Sequence, residues 1–320
     1  MKKLFVILVI AATSIPPTGL SRAAASPPAE TIVFARTGSD GYSHLFSIAP
    51  DGTGETQLTS ASANDASPAP KASQIAFVRT SPGGVPHIWV MRIDGTGQTM
   101  LAIGSEPSWS PYKSRIAYVR NDQIWEIGAN GADRHALERN GFVDSWPAWA
   151  SGPVSTGGRG QHLIAFVRVG DGRTEAGIYT MHPDGTHQRV AIPTRANPSG
   201  ASYAIFSTLA WSPLDMQIAF TATIAGGGTD GRSDEIAHGT SFRWAYFLGQ
   251  AAPCASPAYN CDAEHPSWSP GGQDVAYTVR DDGTGQSGIY ILSVLGTTAP
   301  QFLTDGFDPA WAGASQGPVT

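Results

Sequence analysis

The sequence predicts an all-β fold, a six-bladed β-propeller made of four-stranded antiparallel blades. The first reason is composition: 14% of the residues are charged, while 37 glycines and 24 prolines favour short strands joined by tight turns. The second reason is a repeat, an apolar run with an aromatic residue that recurs along the chain. The aromatic positions are Phe34, Phe77, Tyr118, Phe166, Phe220 and Tyr277. Their separations of 43, 41, 48, 54 and 57 residues are typical of propeller blades with loops of growing length.

The chain begins with the features of an export signal. Two lysines precede an apolar run over residues 4–12, and three consecutive alanines end at Ala25 as a small-residue cleavage site. We expect residues 1–25 to be a cleaved signal peptide and residues 26–320 to be one propeller in the periplasm or outside the cell. A membrane anchor is the alternative, but the run is short for a bilayer span. We expect no membrane span in the mature chain.

Each repeat carries the signals of four strands in a fixed order. In the third repeat, a Pro-x-Trp segment at residues 106–109 predicts the innermost strand, and residues 115–120 and 123–127 predict the second and third. An Asp-Gly or Asn-Gly pair then supplies the positive φ that a tight hairpin requires. A short outer strand completes the blade, as at residues 57–59 and 301–304.

The two ends of the chain complement each other. The first repeat has no innermost strand before Thr31, and the last Pro-x-Trp segment, residues 309–311, has no second strand after it. We expect this C-terminal segment to pair beside residues 32–36. Such pairing would close the ring and leave no open sheet edge.

The fifth repeat is enlarged by an insertion around residues 222–263, which we expect to carry binding specificity. The alternative is that its aromatic residues form the third and fourth strands of the blade. These aromatic residues are Phe242, Trp244, Tyr246 and Phe247. Cys254 and Cys261 also lie in the insertion, and in an oxidising compartment we expect them to form a local disulfide.

The order of the motifs resembles the WD40-like repeat of the TolB-type β-propellers. The motifs are Pro-x-Trp-Ser-Pro, Ile-Ala-Phe, Ile-Trp-Val-Met, Asp-Gly-Thr and Leu-Thr, found for example at residues 107–111, 75–77, 88–91, 94–96 and 58–59. The resemblance covers nearly all of the mature chain, but not the α/β domain that precedes the propeller in TolB itself. It implies a six-bladed propeller that binds partners rather than catalysing a reaction.

The sequence gives little support for catalysis or for nucleic-acid binding. A net charge of −6 and a pI near 5.7 do not suit a phosphate backbone. The motifs of hydrolase nucleophiles, zinc peptidases and phosphate-binding loops do not occur in the chain. We therefore expect no enzyme activity, no cofactor and no metal. Of the eight histidines, His265 is the strongest alternative metal ligand, because it lies at the start of an innermost strand.

One position of the repeat varies from blade to blade, the residue before the Pro of the Pro-x-Trp segment or its equivalent. Because innermost strands surround a central channel, we expect these side chains to line the channel mouth and to bind the ligand. A binding site needs different groups that converge, and an ordinary solvated rim is the alternative. The six residues are Ser67, Glu106, Trp146, Thr208, His265 and Asp308.

Arginines end most of the second strands: Arg36, Arg79, Arg120, Arg168 and Arg280. Each shares a strand face with the preceding aromatic residue, because side chains alternate with a period of two. We expect these rim arginines to lie on the same axial face as the channel mouth and to pair with nearby carboxylates, namely Glu106, Asp144, Glu264 and Asp308. The alternative is that the rim binds an acidic peptide or a carboxylated sugar, which planar guanidinium groups would suit.

Together these patterns favour a monomeric, non-enzymatic binding module for a protein or peptide of the cell envelope. One alternative is a carbohydrate-active hydrolase or lyase, with His265 and the mouth carboxylates as metal ligands or acid/base groups. The other is a structural scaffold that displays the insertion of the fifth blade.

Overall fold

The computed structural model describes residues 30–112, 114–150, 154–155, 160–170, 176–193, 202–214, 217–225, 232–240, 243–247, 261–281, 284–294 and 299–312. Within these ranges the chain contains no helix that is long and apolar enough to cross a membrane. The predicted signal peptide and Cys254 lie outside the described residues, so the cleavage site and the disulfide stay predictions.

The predicted apolar and aromatic runs form the strands, as their β-branched and aromatic composition favours. The first thirteen strands are β1 (Thr31–Thr37), β2 (Ser43–Ile48), β3 (Thr56–Gln57), β4 (Asn64–Lys71), β5 (Gln74–Thr80), β6 (His87–Arg92), β7 (Thr99–Ile103), β8 (Ser105–Trp109), β9 (Arg115–Arg120), β10 (Gln123–Gly128), β11 (His135–Ala136), β12 (Val143–Trp149) and β13 (Val154–Ser155). The others are β14 (Gly160–Gln161), β15 (Ile164–Val169), β16 (Gly177–Met181), β17 (Arg189–Pro193), β18 (Ser202–Trp211), β19 (Gln217–Ala225), β20 (Arg232–Thr240), β21 (Arg243–Phe247), β22 (Cys261–Trp268), β23 (Asp274–Asp281), β24 (Ser287–Ser293), β25 (Gln301–Asp305) and β26 (Phe307–Ala312).

In the described residues these strands pair into six four-stranded antiparallel sheets, and a small β13–β14 hairpin lies between β12 and β15. From the innermost strand outward, blade one is β26-β1-β2-β3, blade two β4-β5-β6-β7, blade three β8-β9-β10-β11, blade four β12-β15-β16-β17, blade five β18-β19-β20-β21 and blade six β22-β23-β24-β25. The innermost strands contact one another in the order β26, β4, β8, β12, β18, β22 and back to β26. This arrangement confirms an all-β propeller of four-stranded antiparallel sheets.

The C-terminal strand closes the first sheet, as the sequence predicts. Strand β26 pairs antiparallel with β1, with Trp311 opposite Ile32 and Ala310 opposite Val33. The N-terminal strand is therefore an inner strand of its sheet rather than an edge, which removes an exposed pairing surface.

Apolar side chains hold neighbouring blades together. The repeated aromatic residues Phe34, Phe77, Tyr118 and Phe166 are fully buried. The clusters span two blades; one, for example, packs Val78 and Ile88 of blade two against Ile116 and Ile127 of blade three. Burying each such side chain contributes about 1.5–3 kcal/mol, so that packing between sheets stabilises the ring as a unit.

The Asp-Gly-Thr turns also pack closely against adjacent blades. In blade two the Asp94 Oδ1 accepts hydrogen bonds from the backbone N–H of Thr96 at 3.0 Å and from its hydroxyl at 2.7 Å. Gly95 has a φ of +84°, and a Cβ there would lie 2.5 Å from the carbonyl oxygen of Leu58 in blade one. Only glycine fits this close approach, which explains the Gly of the motif.

Blade five has the longest strands, with 10 residues in β18 and 9 in each of β19 and β20. The pairing of β18 with β19 runs from Ser202 opposite Ala225 to Trp211 opposite Ile218. Three of the predicted insertion aromatics, Trp244, Tyr246 and Phe247, lie on the fourth strand β21, as the alternative interpretation expects. Phe242 and all the residues between β21 and β22 lie outside the described residues, so a role of the insertion in specificity stays a prediction.

Candidate functional site

A central cavity of about 240 Å³ lies on the propeller axis and is lined by the innermost strands of all the blades. The predicted mouth residues Ser67, Glu106, Trp146, Thr208, His265 and Asp308 all line it. The structure therefore brings together six side chains that are 39 or more positions apart in the sequence. Their role in binding stays a prediction.

The backbone explains why these side chains reach the cavity. All of them except Thr208 adopt the left-handed conformation, with φ between 48° and 56°. Each of these lies at a bulge where the pairing register shifts, as between Ser105 and Ser108 in blade three. A following proline disfavours the right-handed helical conformation, and a left-handed non-glycine residue costs about 1–2 kcal/mol. The same strained bulge thus recurs around the axis and turns one side chain per blade inward.

Two mouth carboxylates bind the backbone of the next blade, which corrects the predicted pairing of Glu106 and Asp308 with the rim arginines. Asp308 Oδ2 accepts a hydrogen bond from the N–H of Ser67 at 3.0 Å, and Glu106 Oε2 accepts one from the N–H of Trp146. The physical reason is the bulge, which leaves the N–H of the bulged residue outside the strand ladder.

Glu106 titrates near neutral pH. Burial raises its pKa to about 7, and the hydrogen bond from the Trp146 N–H opposes the rise. Because desolvation penalises the charged form, this carboxyl group exchanges a proton in the physiological pH range while it faces the cavity.

His265 and Trp146 reach towards each other from blades six and four. Their rings pack edge to face with centroids 5.8 Å apart. His265 Nδ1 lies 3.2 Å from Asp308 Oδ1 and 3.7 Å from Glu264 Oε2. Among the described residues, no group of three or more His, Cys, Asp or Glu side chains is arranged to hold a metal ion. The cavity thus combines aromatic faces with carboxylate acceptors.

The rim arginines lie beside the channel mouth, and two of them are locked by buried carboxylates. Arg79 binds Asp65 through two hydrogen bonds of 2.6 and 2.7 Å, and Arg168 binds Asp144 through two of 2.7 and 2.6 Å. The partners face each other across paired strands. Bidentate geometry makes these the strong form of ion pair, and Asp144 behaves as the sequence predicts.

Three further rim arginines have different surroundings. Arg36 is held by Glu55 at 2.6 and 2.8 Å, and Arg280 lies 3.1 Å from Asp262 and 3.4 Å from the predicted partner Glu264. Arg120 packs over the Trp125 ring at 5.2 Å and makes no ion pair in the part of the chain that is described. Sequence reasoning missed Asp65, although it shares its repeat position with Asp144, two residues before the bulge. It also missed Glu55 and Asp262.

The Pro-x-Trp segments bind neighbouring innermost strands in two ways. Where the middle residue of one blade's Pro-x-Trp segment or its equivalent is Ala, the tryptophan of the next blade donates its indole N–H to the carbonyl oxygen of that Ala. The three cases are Trp109 to Ala69 at 2.9 Å, Trp211 to Ala148 at 2.9 Å and Trp268 to Ala210 at 3.1 Å. Where it is Ser, the hydroxyl oxygen accepts from the tryptophan backbone N–H, as in Trp149 to Ser108 and Trp311 to Ser267, both at 3.0 Å. The middle residue therefore selects the link between blades.

No protein-family model matches this chain, and no curated protein matches it. Solved structures do. TolB from Acinetobacter baumannii is 16% identical with a TM-score of 0.62, over 89% of this chain and 66% of that one. Hydrazine synthase from Kuenenia stuttgartiensis is 12% identical with a TM-score of 0.65, over 91% and 47%. An oligogalacturonate lyase in complex with manganese is 10% identical with a TM-score of 0.51, over 87% and 86%. At these identities the likeness shows the propeller fold alone.

Proposed function

We propose that this protein is a non-enzymatic, extracytoplasmic binding module that recognises a protein or peptide at the propeller face where the innermost strands begin. The observation that carries the proposal is the convergence of six different side chains on one cavity, most of them turned inward by strained bulges. Strain of this kind clusters at functional sites. The export signal at residues 1–25 supports a location in the cell envelope.

We also infer that residues 26–320 form one six-bladed ring that acts as a monomer. The cyclic order of contacts between the innermost strands supports this inference. The likeness to TolB supports the fold on which the function rests, and this chain spans 66% of that protein. A closed ring presents a rigid face, so a partner would meet side chains that are already in place.

The chemistry of the cavity suits a side chain of a partner. Its volume of about 240 Å³ is below the roughly 300–1,000 Å³ of pockets that enclose whole small ligands. Trp146 and His265 offer aromatic rings, and Asp308, which also lines the cavity, offers a carboxylate 3.2 Å from His265 Nδ1. An anchor residue from a peptide would fill this space, as anchors do at the centres of protein interfaces.

Peptide selection tests the proposal. A random peptide library would be selected on the immobilised mature protein, and the affinity of the selected peptides would be measured on His265→Ala and Trp146→Ala. We expect losses of about tenfold or more in affinity, the usual cost of a hot-spot truncation. Tyr112→Ala is the matched control, because Tyr112 is 78% exposed and follows the opposite end of β8. If none of the selected peptides binds the mouth variants more weakly than the unaltered protein, the proposal is overturned.

A carbohydrate-active enzyme is the second candidate, favoured by the contacts of His265 with Asp308 and Glu264 and by the fold likeness to the manganese-bound lyase. Incubation with Mn²⁺ and oligogalacturonate, followed by metal analysis and by ultraviolet detection of unsaturated products, separates the candidates. An enzyme would retain one metal per chain, and His265→Ala would remove it. The binding module would retain none and form no product.

A further inference from the structure

Blade three differs from other blades at two positions whose side chains bind the rim arginine there. The first is the residue two places before the bulge. Blades two and four have Asp65 and Asp144 there, each bonded to its arginine. Blade three has Gly104, whose φ is +153°, and a Cβ there would lie 2.5 Å from the Tyr118 ring. No carboxylate side chain can occupy this position beside Arg120.

The second position lies just before the outer strand. In blade one Glu55 holds Arg36, and in blade four the Gln188 side-chain oxygen accepts from Arg168 at 3.0 Å. The strand registers place Arg134 at the same position in blade three, because Trp125 pairs with Ala136 as Phe46 pairs with Gln57. Blade three thus has an arginine where blade one has its carboxylate.

Both arginines of blade three lie near one buried hydroxyl group. Tyr118 is fully buried, and its hydroxyl is closed off from solvent. Burial raises the pKa of Tyr118, and the positive charges of Arg134 and Arg120, together with a hydrogen bond to Arg120, oppose the rise. Within the described residues neither arginine makes an ion pair. Two cations therefore flank a place that holds a carboxylate in blade one, and the Tyr118 hydroxyl is buried beside them.

Both arginines are accessible, since Arg120 is half-buried and Arg134 is exposed, and the loop beside them is short. Residues 121–122 alone connect β9 to β10, with φ of 51° and 59° at Asn121 and Asp122, whereas residues 38–42 form the corresponding loop in blade one. Exposed apolar side chains flank the site: Ile103 precedes Gly104 and is 45% exposed, and Val143 is 46% exposed. Val143 is held beside the loop because the next residue donates its N–H to the Asp122 carbonyl oxygen at 2.9 Å.

We propose that Arg120 and Arg134 form a carboxylate-binding site that takes an acidic side chain of a peptide, and that the buried Tyr118 hydroxyl helps to position Arg120. Arg36 and Arg79 bind carboxylates with nitrogen to oxygen distances of 2.6–2.8 Å, so the geometry of the expected complex is already present in this fold. The apolar flanks favour a peptide with neighbouring leucines over a polyuronate. The site lies on the rim, separate from the central cavity.

A labelled peptide containing Leu-Asp-Glu-Leu tests the site against its matched amide, Leu-Asn-Gln-Leu. Fluorescence anisotropy with the mature protein should show the acidic peptide binding about tenfold or more tightly, because hydrogen bonds to charged groups contribute roughly twice as much as neutral ones. Arg134→Glu copies the Arg36–Glu55 arrangement of blade one, and should abolish the preference with no loss in melting temperature. Tyr118→Phe should weaken the acidic peptide several-fold, and Arg134→Lys should retain part of the binding.

His265→Ala keeps this test independent of the cavity, because it should leave the affinity for the acidic peptide unchanged. The proposal is overturned if Arg134→Glu, folded with an unchanged melting temperature, binds the acidic peptide as tightly as the unaltered protein. Equal binding of the acidic and amide peptides overturns it as well. If trigalacturonate binds in an Arg134-dependent way and the peptide does not, the assignment to a peptide is wrong.

Discussion

The rims of blades four and three use the same repeat position in opposite ways. In blade four, Arg168 is 4% exposed and binds Asp144 and Glu138, and it packs on the rings of Phe166 and Tyr179. In blade three, Arg120 has a ring below it but no carboxylate beside it in the described residues. The aromatic ring under the arginine is thus part of the repeat, whereas the carboxylate beside the arginine is not.

This difference shows how a repeat protein separates stability from recognition. A buried, bidentate arginine fixes the end of a strand and cannot bind anything else without leaving buried carboxylates unpaired. An arginine that packs on the same aromatic rings but has no carboxylate beside it is also held in position. Its N–H donors remain available to a ligand. Four substitutions test this contrast, from the largest expected effect to the smallest.

Arg168→Ala should produce the largest loss of stability. It leaves Asp144 and Glu138 buried without their cation, which costs about 3–5 kcal/mol. Burial, and the proximity of Asp144, already raise the pKa of Glu138 to about 8. Urea unfolding at neutral pH measures the effect, with Arg280→Ala as control. Arg280 is 45% exposed, so its loss should cost about 1 kcal/mol or less. Equal losses in the two variants would contradict the contrast.

Glu106→Gln should change how stability depends on pH. The pKa of Glu106 in the folded state, about 7, lies above its ordinary value, so the folded protein binds the proton more tightly than the unfolded chain. Stability is therefore complete below about pH 4.5 and falls as pH rises towards 7. The neutral glutamine can still accept the Trp146 N–H. We expect the variant to be more stable than the unaltered protein at pH 8.5, on the order of 3 kcal/mol, and similar at pH 4.5.

Glu55→Gln is the matched control for this pH dependence, because its sign is reversed. The hydrogen bond from Arg36 lowers the pKa of Glu55. That carboxylate therefore stabilises the fold above its ordinary pKa and loses the contribution as pH falls. The variant should be less stable than the unaltered protein at pH 8.5. A difference between Glu106→Gln and the unaltered protein that does not vary with pH would show that Glu106 titrates normally.

Trp109→Phe should cost about 1 kcal/mol more than Trp149→Phe. The two indoles are similarly buried, at 6% and 9% exposure. Trp109 donates its ring N–H to the Ala69 carbonyl oxygen, whereas the ring N–H of Trp149 has no partner within the described residues. The innermost strand of blade three would then be bonded through its indole, unlike that of blade four, although the rim arginine of blade three has no carboxylate beside it in the described residues. Equal losses, measured by urea unfolding, would show that the indole bond contributes nothing.

Much of the fold could be predicted because a blade cannot bury its apolar faces alone. The same residues must recur at the same interface, so Phe34, Phe77 and Phe166 mark the spacing directly in the sequence. Closure was predictable too, because a Pro-x-Trp segment without a second strand and a first strand without a partner require each other. The number of residues in the Asp-Gly turns likewise follows from local chemistry.

The sequence predicted which residues line the candidate site, but not which groups these residues bind. A residue before proline is visible in the sequence, and its variation pointed to Glu106 and His265. The partner of Glu106 is a backbone N–H, a group that every residue except proline has, and only the bulge at Trp146 makes it available. The sequence alone did not show that Arg120 has no carboxylate beside it. Gly104 and Arg134 can be matched to the carboxylates of other blades only when the strand registers are known.

Arg120→Ala should have the smallest effect on stability and a large effect on binding. It removes a cation–π contact with Trp125, worth about 0.5–1 kcal/mol at an exposed site, and leaves no carboxylate unpaired among the described residues. The same substitution in blade two, Arg79→Ala, leaves the fully buried Asp65 without its cation, which costs about 3–5 kcal/mol. Urea unfolding and acidic-peptide anisotropy on both variants complete the comparison. If Arg120→Ala is destabilised as much as Arg79→Ala, Arg120 has a structural partner and the rim of blade three is not open.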